Sequence, residues 1–104
     1  MKETEKKILA GFLLFPDLID ESIPEMWRDP WCLAAWGLML ASYKATGDIT
    51  LTRMHEDLDA FNLYTNDSVP RVRLSELAAL DLEMPGNRWD CFDMMSEYAQ
   101  KVLN

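Results

Sequence analysis

Histidine and cysteine are scarce in this chain. It has a single histidine and 2 cysteines in 104 residues. A Ser–His–Asp set is therefore hard to assemble, and neither a CxxC nor an HxxxH spacing offers a zinc site. Cys32 and Cys91 are too few for the disulfide framework of a small secreted domain. Both flank tryptophans, in PWCLAAW and RWDCF, and read as buried thiols that behave as small hydrophobes. No GxxxxGK[ST] or GxGxxG occurs, so no phosphate-cradling loop is expected. The longest apolar run, Ile8 to Phe15, falls far short of the ~20 residues that cross a bilayer. It does not fit a signal peptide either, because Glu3 and Glu5 precede it and the acidic PDLIDE follows. A cytosolic protein is the expectation. Positive charge is scarce as well: 10 basic residues face 18 acidic ones, for a net charge of −8. Direct nucleic-acid binding, which needs clustered Lys and Arg to displace counterions, is not expected.

What the chain has in quantity is apolar surface. A hydrophobic fraction of 49%, with 4 Trp, 4 Phe and 3 Tyr, requires a folded core. The length fits one domain over residues 1–104.

The pieces between prolines and glycines carry helical periodicity. Glu3 to Phe15 presents Ile8, Leu9, Phe12 and Phe15 on one face, with acids in its first turn where the helix dipole favours them. Pro16 stops it. PDLIDESIPEMW reads as one or two short turns that fold Leu18, Ile19, Ile23, Met26 and Trp27 inward. Asp29 as N-cap and Pro30 at the first helical position start a long helix that Gly47 ends. Leu33, Trp36, Gly37, Leu40 and Tyr43 or Lys44 follow its period, although its interior is apolar on nearly all sides. The next helix starts at Thr50 or Asp48 and carries Leu51, Met54, Leu58 and Phe61. After the polar NLYTNDSVP, a helix over about Pro70 to Leu82 turns Leu74, Leu77, Ala78 and Leu80 inward. Asn87, with Asp90 three residues on, starts a last helix along Phe92, Met95, Ala99 and Val102. No segment alternates long enough to be a strand. The class is all-α, an orthogonal bundle of about six helices.

The one cluster with catalytic residue types is His55, Glu56, Asp57 and Asp59. A small enzyme would use His55 as base with Glu56 or Asp59. The spacing opposes this: three of the four are consecutive and fan around a helix, leaving only His55 and Asp59 face to face. A solvated face is the expectation, with no catalytic residue, metal site or cofactor. The 7 Met and 4 Trp suit either a core or an adaptable docking surface. Trp31 is expected at least partly exposed beside Pro30, with Trp36 in the inward position. The apolar exit of the last helix, Met94, Met95, Tyr98 and Val102, together with Trp31, is the expected interface.

The ordered pieces resemble the N-terminal domain of bacterial replicative helicases of the DnaB type. In EKKILAGFLL, Glu5, Ile8, Leu9, Gly11, Leu13 and Leu14 match that family's opening helix, with Ala10 where glycine is frequent. Trp27, Trp36, Gly47, Ile49, Thr50, Leu51 and Leu58 are similar to its middle. LSELAALDLEMPGNRWDCFDMMSEYAQKVL resembles its closing leucine-alanine helix, proline break and final helix, where Tyr98, Ala99 and Val102 match. The resemblance covers essentially the whole chain through packing patterns rather than a catalytic signature. The sequence departs from the family at Cys32 and Leu33, where a His-Arg pair is common, and at Thr50, where an aspartate usually caps. It also ends at Asn104 without the family's ATPase domain, as an excised domain or a natural stand-alone copy would.

The resemblance implies a non-catalytic interaction domain that dimerises into a helicase collar and docks primase, without ATP hydrolysis by this chain. The alternative is a free-standing phage or mobile-element accessory or inhibitor that binds the host replicative helicase or primase. The family's primases end in a domain of related helical shape, which is a neighbouring reading.

Overall fold

The computed structural model describes residues 2–50, 52–56, 74–80 and 86–104. Among the described residues every regular element is helical and there is no strand.

Helix α1 spans Lys2–Leu14, with Glu3 and Glu5 in its first turn. It buries Ile8, Leu9, Ala10 and Phe12. It ends where sequence chemistry requires: Phe15, ahead of Pro16, sits at φ −129° and ψ 74°, outside the helical region. Two 3₁₀ turns follow, Pro16–Glu21 and Pro24–Met26, each with proline at its start. They bury Leu18, Ile19 and Met26. Ile23, expected inward, is exposed, because it lies in the extended link between the turns. Trp27 packs its ring edge-on to Phe12 and tilted to Trp36, both at 6.3 Å between centroids.

Helix α2 spans Pro30–Thr46. The Asp29 carboxylate accepts from the Cys32 amide at 3.0 Å, which caps the start. At the far end Gly47 takes φ 78° and its N–H donates to the Tyr43 carbonyl at 2.7 Å. The buried face is Trp31, Cys32, Ala34, Ala35, Leu38, Met39 and Ser42. This corrects the expected face. Leu33 is exposed, and Trp36, Gly37, Leu40 and Tyr43 are half-buried. A helix apolar nearly all round has no periodicity to choose its inner side, and here the small Ala34 and Ala35 face the core.

Thr50 caps the next helix, α3, described over residues 52–56. Its hydroxyl accepts from the Arg53 amide at 3.2 Å and its carbonyl from Met54 at 3.0 Å. Met54 is fully buried. Leu51, Leu58 and Phe61, expected on this helix, lie outside the described residues. Helix α4, Leu74–Ala79, buries Leu77, and Leu80 follows it into the core. Ala78, expected inward, is exposed. The expected extensions of α4 to Pro70 and Leu82 lie outside the described residues.

Helix α5 spans Arg88–Leu103, and the Asn87 side chain accepts from the Asp90 amide at 3.0 Å. It buries Cys91, Met95 and Tyr98. Tyr98 meets Glu5 near the start of α1, while Arg88 meets Asp17 just past its end. The first and last helices therefore run antiparallel against each other.

Candidate functional site

Glu5 is the polar centre of the fold. Its carboxylate is 0% exposed, yet each oxygen has donors. One accepts the backbone amides of Arg28 and Asp29 at 3.0 and 3.1 Å, and the other accepts the Tyr98 hydroxyl at 2.5 Å. A buried acid is tolerated only when its acceptors are satisfied in this way. Burial, followed by the hydrogen bond to Glu5, pushes the Tyr98 phenol well above its usual value. The Arg28 guanidinium adds a further tie by donating to the Val102 carbonyl in the last turn of α5 at 2.6 Å. Together these bonds join the start of α1, the entry to α2 and the end of α5.

Beside this node a groove of about 470 Å³ opens, lined among the described residues by Thr4, Met94, Glu97, Tyr98 and Lys101. The volume lies in the range of pockets that hold ligands or partner side chains. It offers one apolar thioether, an aromatic floor and a carboxylate and ammonium four residues apart on α5. Among the described residues this lining sets no nucleophile against a base.

The expected interface residues are placed as follows. Met94 and Tyr98 line this groove, and Met94 and Val102 are half-buried. Met95 and Tyr98 are buried within the chain itself. Trp31, expected exposed, is only 8% exposed and belongs to the core. Its Nε1 donates to Glu76 of α4 at 2.5 Å, and the Lys6 ammonium stands 5.5 Å over its ring. The first turn of α2 is thus clasped between α1 and α4. Trp36, expected inward, is half-buried and donates its Nε1 to the Ser22 hydroxyl at 2.7 Å.

His55 and Glu56 are exposed, and Glu56 lies 3.7 Å from Arg53. Asp57 and Asp59 lie outside the described residues. Cys32 and Cys91 are both buried thiols, and burial, then the nearby Asp90 carboxylate, pushes the Cys91 thiol up. Among the described residues no group of His, Cys, Asp and Glu is placed to hold a metal ion. Also among them, no helix is long and apolar enough to cross a membrane.

One surface residue escaped the sequence reading. Trp89, in the first turn of α5, is 74% exposed. It borders a smaller groove of about 200 Å³ with Asp17, Leu18, Glu21, Arg88 and Phe92. Both terminal nitrogens of Arg88 donate to the Asp17 carboxylate, one of them at 2.7 Å. That hydrogen bonding holds the Asp17 carboxyl below its usual range. The signal for Trp89 was present in the sequence. On the period of α5 it falls in line with Asp93, Ser96 and Gln100, opposite the buried Cys91, Met95 and Tyr98.

Comparison with family models, curated proteins and solved structures returned no match.

Proposed function

We propose that the chain is a non-catalytic helical protein-interaction domain of DNA replication. In this reading it works in the cytoplasm, associates with itself, and docks primase in the manner of the collar domain of DnaB-type helicases. The observation that carries the reading is the succession of helical boundaries along the resembling sequence. A proline-stopped opening helix leads through two short turns to Trp27, then to a long helix closed by Gly47, a Thr50-capped helix and a final helix ending past Val102. The glutamate that opens the resembling motif, Glu5, is also the residue that ties the first and last helices together. The lining of the α1–α5 groove suits docking better than bond-making.

The test combines two measurements on the purified chain: its mass in solution across the micromolar range, and its binding to purified primase and replicative helicase. Self-association together with a primase complex is the expected result. Binding to helicase without primase moves the role to that of an accessory or inhibitor. A chain that stays monomeric and binds neither protein overturns the proposal.

A further inference from the structure

From the surface at the start of α5 we infer that the Trp89 groove is a docking site for a basic segment of a partner protein, which seats an arginine or lysine against the open indole face. The inference rests on the reading of the chain as an interaction domain, and not on its place in replication.

Trp89 adds nothing to the core of this chain. At 74% exposed it leaves the largest apolar side chain type in water on the polar stripe of α5. Trp27 and Trp31 are buried and Trp36 is half-buried. The groove beside Trp89 measures about 200 Å³. That is below the roughly 300 Å³ at which small-molecule pockets begin, and suits a side chain or two presented by another surface.

The sign of the partner follows from the rim. Among the described residues the rim has one cation, Arg88, which is joined through both terminal nitrogens to Asp17. Glu21 on the 3₁₀ turn then leaves the lining net negative, and Asp93, exposed on α5 outside the lining, adds to that field. Asp93 follows Trp89 by one helical turn on the same face. A guanidinium laid on the indole would meet the ring's negative face and a carboxylate together, an arrangement that favours Arg over any neutral side chain. A nucleic acid would bring phosphates against these acids. A second copy docking by the same face would bring a second acidic rim.

The probe is a short amidated peptide carrying arginine and leucine. Its control is a peptide of equal leucine content with glutamate in place of arginine. Acrylamide quenching of tryptophan emission reads the site, because Trp89 is the most exposed of the four indoles. The basic peptide should shift the emission to the blue, shield it from acrylamide and lose affinity as salt is raised. Trp89→Ala, which lacks the reporting indole and is therefore followed by the anisotropy of a fluorescein-labelled peptide, should weaken binding by about tenfold or more, with far-UV circular dichroism and melting temperature unchanged. Asp93→Asn should weaken it by about threefold and flatten the salt dependence.

Equal affinity in Trp89→Ala overturns the inference, as does equal binding of the acidic peptide. So does an indole that becomes shielded without peptide as the chain dimerises, which would give the groove to a second copy. Loss of peptide binding in Trp89→Ala by a chain that binds neither primase nor helicase upholds this site and overturns its replication role.

Discussion

Glu5 gives the clearest case of a single side chain whose chemistry the fold depends on. It accepts from three donors on two other parts of the chain. A carboxylate can do this from both oxygens; a carboxamide offers one acceptor and brings N–H groups that face donors. Glu5→Gln should therefore cost about 2 kcal/mol, read as a lower urea midpoint at unchanged slope. Tyr98 supplies a second test through pH. Its phenol is held above the ordinary value of 10.0, so on raising the pH the unfolded chain loses this proton first. The stability it contributes is complete below pH 10 and drains as pH climbs toward the folded value. Tyr98→Phe should remove that alkaline loss relative to the native chain. At neutral pH the variant should still cost about 1–3 kcal/mol, because one oxygen of Glu5 is left without its donor. The sequence placed Glu5 in a first turn suited to acids but could not show its burial. Its donors lie 23, 24 and 93 residues away, and no local pattern encodes a pairing at such separation.

Element boundaries were far more legible, because they are set by local chemistry. Pro16, Asp29, Pro30, Gly47, Thr50 and Asn87 stop, start or cap where their side chains dictate. Gly47 permits a direct test. A methyl group added there meets nothing within 4 Å, so Gly47→Ala should report only the cost of holding an L-residue at φ 78°. That is about 1 kcal/mol, visible as a lower melting temperature with helical content retained. Orientation was harder to read than boundaries. Helix α2 is apolar nearly all round, so the spacing of Leu33, Trp36 and Leu40 looked as good as that of Ala35, Leu38 and Met39, the residues that in fact face the core. On helix α5 the expected face is also turned: of Phe92, Met95, Ala99 and Val102 only Met95 is buried, with Cys91 and Tyr98 beside it and the other three half-buried, yet the polar stripe alone puts Trp89 outside. The expected interface failed to separate core from surface for a related reason: an apolar helix exit reads the same whether it meets its own chain or another.

At the scale of the molecule, the two thiols report on cooperative opening. Cys32 and Cys91 are buried on different helices, and burial raises the Cys91 thiol further from its reactive form. Neither should react with a thiol reagent at neutral pH until denaturant is added, and both should then react together with the loss of helicity. Early labelling of one thiol would reveal a locally opening segment.

The antiparallel pairing of α1 and α5 has a practical outcome. Thr4 and Lys101 line one groove, so the two ends of the chain emerge side by side. Trp89 lies fourteen residues back along α5 from Leu103, about 20 Å away at the helical rise. A fluorophore, an affinity tag or a surface tether attached at either end would therefore sit at the opposite pole from the indole. Immobilised through its ends, the molecule would present Trp89 to solution.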